Sequence, residues 1–261
     1  SKCHATDVPV KGGMHSAVGF AVLFGLFSKE KSLTKTMERA SNALAQSSDR
    51  WGAMEKLLEN GSDEAIFALC KRFSFTSDKT IEDQQEKDWT VSKLASLGQR
   101  TLAPLRRYMA GASNLGYPLK ILGQITSEQA TLKVIDELLV IEEPGYVRDP
   151  KRRIDIIEWL GEWSAAPRDI VVRILPYVED FDENVRMKTL ETISRQPDVV
   201  AAETLCRAMV CEEESKRFQL RCAEIVAEQS WPVSSHQAEI DALLATSLDA
   251  FERHEGTLRQ R

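Results

Sequence analysis

The chain has few histidines, and it lacks the short motifs that mark common enzyme classes. The four histidines, which lie towards the two ends of the 261 residues, are His4, His15, His236 and His254. Acid–base and metal chemistry most often rely on this residue. The sequence also lacks a glycine-rich phosphate loop, a Gly-x-Ser-x-Gly turn and a His-Glu-x-x-His helix. We therefore predict a chain that is not an enzyme, with no catalytic residues, no cofactor and no metal site.

Basic residues are not in excess, which disfavours a nucleic acid as the partner. The chain carries 34 Lys and Arg against 40 Asp and Glu, for a formal net charge of -6. Surfaces that bind DNA or RNA normally concentrate positive charge. We therefore predict that the partner is not a nucleic acid.

Long apolar runs are missing as well. The run at residues 16–27 is twelve residues long, whereas a membrane-spanning helix needs about 20 residues. Lys2 and Lys11 precede it, as in a signal peptide, but no small-x-small cleavage site follows. We expect no membrane span and predict that residues 1–31 form a leader or a poorly packed segment. An export signal is the alternative.

The chain lacks an even number of cysteines: it has five, which cannot all pair in disulfides. Four of them lie in segments that we predict to be helical, at spacings that fit no zinc-binding pattern: Cys70, Cys206, Cys211 and Cys222. We interpret them as small buried apolar residues in a reducing compartment, which predicts a cytoplasmic protein.

The residues that are abundant favour helix. Ala, Leu, Glu, Lys, Arg and Gln dominate, aromatic residues make up only 7%, and no segment shows sustained alternation of apolar and polar residues. From Ser32 onward, apolar residues recur at helical spacing with short connections, as in antiparallel helix pairs. The polar stretch from Ser74 to Lys87 is the longest interruption, and we predict a loop or a poorly ordered excursion there. The sequence therefore predicts an all-α protein.

A repeat of 33 residues organises the second half of the chain. Asp149, Asp182 and Ser215 recur at this spacing, and each stands where we predict a helix N-cap. Behind these positions, Arg153 is echoed by Arg186. An earlier unit at residues 119–125 shares a Leu-Gly pair with residues 157–163, at a spacing of 38. Copied units of about two helices stack into a solenoid.

The segment from Ile174 to Gln196 resembles one unit of the HEAT-repeat family, in its bacterial branch related to phycobilisome lyases. The residues that match the family pattern are Pro176, Asp180, Val185, Arg186, Leu190 and Ile193. The resemblance implies a right-handed α-solenoid of about five helical hairpins, whose second helices line the concave side. It also implies that Asp180 and Arg186 tie successive units together. A bilin lyase activity would need a pigment system that nothing in the sequence indicates.

The repeat pattern divides the chain into three parts. We predict a leader at residues 1–31, a HEAT-like array at residues 32–234, and a capping helix with a tail at residues 235–261. The predicted capping helix, from Ser235 to Arg253, carries one apolar stripe formed by Ile240, Leu243, Leu244, Leu248 and Phe251.

The aligned second helices leave three rows of residues facing outward on the concave side. The first row is Asp155, Lys188 and Arg221, the second is Glu158, Glu191 and Glu224, and the third is Glu162, Arg195 and Glu228. The second row is acidic throughout. A solvated surface of ion pairs is one interpretation, and a docking surface for a basic or mixed-charge protein segment is the other.

Two tryptophans flank the acidic row. Trp159 and Trp163 lie four residues apart on one helix, so they share a face. They either fill space between helices or form a binding hot spot, and Tyr146 and Arg148 in the preceding loop would belong to the same patch. We predict a non-catalytic scaffold that binds a protein partner on the concave helical face.

One enzyme hypothesis competes with this prediction. Some bacterial DNA glycosylases are compact HEAT-like solenoids with a concave cleft that contains tryptophans, an arginine and a carboxylate. Trp159, Trp163, Asp155 and Arg153 would take those roles here. The neighbouring acidic row disfavours DNA binding.

Overall fold

The computed structural model describes residues 31–212 and 215–261. Residues 31–40 are helical and form the described part of α1. The helices that follow are α2 (Ser47–Asn60), α3 (Asp63–Cys70), α4 (Thr80–Ser96), α5 (Leu102–Gly111), α6 (Gly116–Ile125), α7 (Glu128–Ile141), α8 (Lys151–Glu162), α9 (Pro167–Ile174), α10 (Glu183–Arg195), α11 (Ala202–Cys211), α12 (Lys216–Glu228) and α13 (Gln237–Leu244). Short 3-10 turns lie at Lys71–Ser74, Gly98–Thr101, Leu175–Glu179 and Val199–Ala201. The predicted leader, except for its last residue, lies outside the described residues.

The prediction of an all-α protein is confirmed, with one small exception at the C-terminus. Two strands, β1 (Phe251–His254) and β2 (Thr257–Gln260), form an antiparallel hairpin. Glu255 and Gly256 both have positive φ angles in its two-residue turn, at 50° and 81°. Such backbone angles match the twist of a tight hairpin. A β-element here was not predicted.

The predicted capping helix from Ser235 to Arg253 is therefore wrong in its extent. Helix α13 ends at Leu244, and the chain then turns. In this turn, the carbonyl of Leu243 accepts hydrogen bonds from the backbone N–H groups of residues 246–248. Leu248 and Phe251 are buried as predicted, but they reach the core from a turn and a strand. The hairpin packs on α12 through β2. The apolar stripe was correct, but its spacing did not distinguish a long helix from a short helix followed by a hairpin.

The even-numbered helices form a continuous row. Each of α4, α6, α8 and α10 contacts the next even-numbered helix along the chain. Helices α8 and α10 approach closely because residue 161 is glycine: a Cβ at Gly161 would lie 2.9 Å from Thr192 Oγ1. Apolar residues from both the even- and the odd-numbered helices form one core of buried side chains. This packing places the outward sides of α6, α8, α10 and α12 beside one another.

The structure supplies side-chain caps at two of the three predicted N-cap positions. Asp182 accepts hydrogen bonds from the backbone N–H groups of Asn184 and Val185, and Ser215 accepts one from Phe218. Asp149 differs, because Pro150 occupies the N-cap of α8. Asp149 therefore lies one residue before the N-cap rather than at it. Its carboxylate still accepts a hydrogen bond from the N–H of Lys151 at 3.0 Å.

The polar stretch predicted as a loop is helical from Thr80 onward, and this part of the prediction is wrong. Glu86 of α4 is fully buried between two arginines, with Arg50 Nε at 3.0 Å and Arg72 Nε at 2.6 Å from its Oε2. Asp83 accepts hydrogen bonds from Arg72 at 2.6 Å and Lys87 at 2.7 Å. Buried charges of this kind need partners, so this cluster ties α2 and the 3-10 turn after α3 to α4.

The cluster also shifts the acidity of its carboxyl groups. Burial acts to raise the pKa of Asp83, but hydrogen bonds from Arg72 and Lys87 outweigh it and lower the pKa to about 2. The pKa of Glu86 is lowered too, because hydrogen bonds from Arg50, Ser47 and Arg72 outweigh its desolvation. Both groups are therefore held as carboxylates at neutral pH.

Three described cysteines are buried and free: Cys70, Cys206 and Cys222. Burial raises the pKa of Cys70 to about 12 and that of Cys206 to about 11. These thiols therefore stay protonated and act as small apolar groups. Cys211 is free and exposed. Among the helices of residues 31–212 and 215–261, none has the length and apolar character required to span a bilayer.

Candidate functional site

A groove of about 330 Å³ opens between α6 and α8. It contains three of the predicted partner-binding residues, together with residues of α6 that were not predicted. The lining residues are Asn114, Gly116, Tyr117 and Lys120 on the α6 side, and Asp155, Glu158, Trp159 and Glu162 on the α8 side. The structure therefore joins an aromatic side chain from each helix with three carboxylates from α8.

The Trp159 side of the groove is fixed by close packing between the two helices. Trp159 and Trp163 stack with ring centroids 5.0 Å apart and planes 21° apart. Gly123 of α6 makes room for them, since a Cβ at this position would lie 2.9 Å from Cζ2 of Trp159. Both indoles are half-buried against the core. Trp163 thus fills space between helices, whereas Trp159 also lines the groove.

Tyr117 forms the opposite aromatic side. Its ring stacks on Phe73 at 5.2 Å with planes 9° apart, and its hydroxyl donates a hydrogen bond to Gln84 Oε1 at 3.0 Å. The ammonium of Lys120 lies 5.6 Å from the centroid of the Tyr117 ring, within the range of a cation–π contact. Tyr117 is thereby held in place from two sides.

Asp155 does not face outward as predicted. It is only 8% exposed, and its Oδ2 accepts a hydrogen bond from the backbone N–H of Leu115 at 2.8 Å, just before α6 begins. Its Oδ1 accepts one from Lys151 at 2.9 Å. Asp155 therefore accepts a hydrogen bond from an N–H at the N-terminus of the neighbouring helix α6, and it also lines the groove.

Two cations of the predicted rows, Lys188 and Arg221, pair with the glutamates of the acidic row. Lys188 Nζ contacts both Glu158 and Glu191, at 3.1 Å and 2.8 Å. The hydrogen bond to Glu191 is the largest cause of the raised pKa of Lys188. Along the same row of helices, Arg221 contacts Glu224 at 2.8 Å and Ser194 Oγ at 2.8 Å. Each glutamate of the acidic row therefore has a cationic neighbour.

Glu162 is different from the other carboxylates of the groove. It is exposed, and within the described part of the chain it takes part in no ion pair. Lys188 serves two carboxylates, so the groove and its border keep an excess of negative charge on the α8 side.

The motif residues of the repeat link successive hairpins. Arg153 donates to Asp180 Oδ2 at 3.0 Å and to the carbonyl of Gly145 at 2.6 Å. Arg186 contacts Glu212 at 3.2 Å. Val185 is fully buried. These residues lie in the interior and in the turns, so they position the even-numbered helices.

Tyr146 lies outside the groove. It forms an edge-to-face pair with Phe181, with centroids 5.3 Å apart, and both rings are exposed. Arg148 is exposed in the same loop and is not among the residues that line the groove.

Tyr117 and Lys120 were not among the predicted residues, although the repeat in the sequence indicates their position. The Leu-Gly pair that recurs at a spacing of 38 aligns Tyr117 with Asp155 and Lys120 with Glu158. Extending the outward rows to this earlier unit would have placed both residues on the same face.

Within residues 31–212 and 215–261, no group of three or more His, Cys, Asp or Glu side chains is arranged to hold a metal ion. No protein-family model matches the chain, and no curated protein or solved structure matches it either.

Proposed function

We propose that this protein is a non-catalytic scaffold that binds a basic or mixed-charge segment of another protein. The binding surface is the outward side of α6, α8, α10 and α12, which we call the even-helix face. The observation that carries the proposal is the groove between α6 and α8. It pairs Tyr117 and Trp159 with carboxylates that include Glu162, which has no ion pair among the residues that the structure describes. Aromatic anchors beside charged groups are typical of binding hot spots.

We further propose that the helices form a right-handed, HEAT-like α-solenoid of about five hairpins. The recurrence of the Arg153–Asp180 link as Arg186–Glu212 supports a repeated unit, as does the row of contacts between even-numbered helices. A solenoid offers an extended surface to a partner. The buried free thiols support a reducing compartment such as the cytoplasm.

The test is affinity capture from the source cell with matched charge-reversal variants. The face variant replaces Glu158, Glu191 and Glu224 with lysine. The control variant replaces three exposed acidic residues of odd-numbered helices, Glu137, Asp169 and Glu203, with lysine. The wild type and the control should capture the same partner, and the face variant should lose it while keeping its helical circular dichroism. Capture by the face variant at the wild-type level would contradict the proposal.

A DNA glycosylase-like activity is the competing hypothesis, since two tryptophans and Asp155 lie in or beside the groove. Two observations disfavour it. Arg153 is buried and bound to Asp180, away from the groove, and Asp155 is bound to Leu115 and Lys151. An electrophoretic shift assay with duplex DNA at low salt separates the hypotheses, because DNA binding is strongly salt-dependent. Salt-sensitive binding by the wild type would favour the enzyme.

A further inference from the structure

We propose that the groove between α6 and α8 binds the guanidinium group of an arginine from the partner segment. This inference rests on the proposed function, since it names the chemical group that the groove recognises. The groove has room for one side chain, because its volume of about 330 Å³ lies at the small end of ligand pockets.

The aromatic residues of the groove fit this group. A guanidinium is planar and weakly hydrated, so it stacks on aromatic rings while its N–H groups bind carboxylates. Tyr117 from α6 and Trp159 from α8 line the two sides of the groove. Each of these rings is already stacked on one neighbouring ring, Tyr117 on Phe73 and Trp159 on Trp163. Both rings are therefore held in place before a ligand arrives, which lowers the entropic cost of binding.

The carboxylates supply the complementary charge. Glu158 and Glu162 lie one turn apart on α8 and both line the groove. Glu158 shares the Lys188 ammonium with Glu191, and Glu162 has no ion pair within the described residues. One additional cation at this place would contact Glu162 directly and reduce the repulsion between it and Glu158.

Lys120 shows that the groove accommodates a cation. It is exposed, its ammonium lies 5.6 Å from the Tyr117 centroid, and within the described residues it has no carboxylate partner. An incoming guanidinium must displace this ammonium from the ring. Lys120 and Glu162 therefore act in opposite directions, since Glu162 favours the arginine and Lys120 competes with it. A second ammonium, that of Lys87, lies 5.8 Å from the same centroid, but it is buried and paired with Asp83.

The experiment uses the whole chain and three short peptides of the form acetyl-Gly-Ser-X-Ser-Gly-amide. X is arginine, lysine or citrulline, which has the shape of arginine without its charge. Binding is followed by NMR through the indole N–H signals of Trp159 and Trp163, assigned with tryptophan-to-phenylalanine variants. The arginine peptide should give saturable shifts, the lysine peptide weaker ones, and the citrulline peptide none. Equal shifts with citrulline, or none with arginine, would overturn the inference.

Two variants with opposite expected effects strengthen the test. Glu162→Gln should raise the Kd of the arginine peptide at least about threefold, and Lys120→Met should lower it about twofold or more, since single exposed charge and cation–π contacts are of this size. Glu228→Gln removes the same charge from the same face outside the groove, and it should leave the Kd unchanged. If Lys120→Met weakens binding, or if Glu228→Gln matches Glu162→Gln, the groove is not the site.

Failure of this inference is distinguishable from failure of the proposed function. A protein partner captured equally by the wild type and by Glu162→Gln, but lost by the triple face variant, would retain the scaffold and reject the arginine site. Saturable binding of the arginine peptide without any captured partner would retain the site and reject the scaffold.

Discussion

Arg153 of α8 donates a hydrogen bond to Asp180, 27 residues later, at 3.0 Å. One repeat further on, Arg186 of α10 contacts Glu212 at 3.2 Å. Each arginine joins a second helix to the turn of the next hairpin. The repeat in the sequence is therefore also a repeat of polar links between hairpins, and these links fix how successive even-numbered helices lie beside one another.

Removal of one such link should be costly. Asp180→Ala leaves the buried Arg153 without its carboxylate and should lower the free energy of unfolding by about 3–5 kcal/mol. Asp136→Ala is the control, because Asp136 is exposed and Arg173 is only partly buried, so their ion pair should be worth less than about 1 kcal/mol. Urea denaturation measures both. Equal losses in the two variants would show that the buried link has no special role.

The buried cluster around α4 should make the protein sensitive to acid. The pKa of Asp83 falls from 3.8 to about 2 on folding, so its contribution to stability is complete above pH 4. It is lost as the pH falls from about 4 towards 2, when the folded carboxylate takes up a proton. Glu86 acts in the same direction.

Urea denaturation at a series of pH values from 6 to 2 measures this effect. Asp83→Asn should be less stable than the wild type at pH 6, and its stability should decline less steeply below pH 4. An unchanged slope in the variant would mean that Asp83 is not linked to the acid response.

Two glycines should respond to alanine in opposite ways. A methyl group at Gly161 would lie 2.9 Å from Oγ1 of Thr192, which donates to the Ile157 carbonyl. Gly161→Ala should therefore destabilise the protein by about 1–3 kcal/mol through overpacking between α8 and α10. Gly52 lies inside α2 with no atom within 4 Å of the added carbon, and Gly52→Ala should stabilise by up to about 1 kcal/mol. The melting temperature of each variant shows whether it is more or less stable than the wild type. A stabilising Gly161→Ala would contradict the close packing of α8 and α10.

The sequence predicts the helices well, because apolar periodicity and N-caps are local. Asp182 and Ser215 are examples, since both cap the helix that follows. The prediction was wrong where tertiary contacts outweigh the local pattern. Asp155 has an outward position on its own helix, but α6 covers it. The polar residues around Glu86 were predicted to form a loop. The local pattern does not show that Glu86 is buried, because its partners Arg50 and Arg72 lie in other parts of the sequence.

The C-terminal hairpin should be required for solubility. Phe251 and Leu258 are 2% and 1% exposed, and β2 packs on α12. A chain that ends at Ala250 loses both side chains and uncovers part of α12, so it should melt at a lower temperature and aggregate. Light scattering during heating measures this. Melting and scattering like those of the full chain would show that the hairpin does not cap the last repeat.

Binding of the partner on the even-helix face is tested most directly by hydrogen–deuterium exchange of the complex. The captured partner is added to the full chain, and amide exchange is compared with that of the free protein. We expect slower exchange in α6, α8, α10 and α12, greatest around the groove residues Tyr117 and Trp159. Protection confined to the odd-numbered helices α5, α7, α9 and α11 would contradict it.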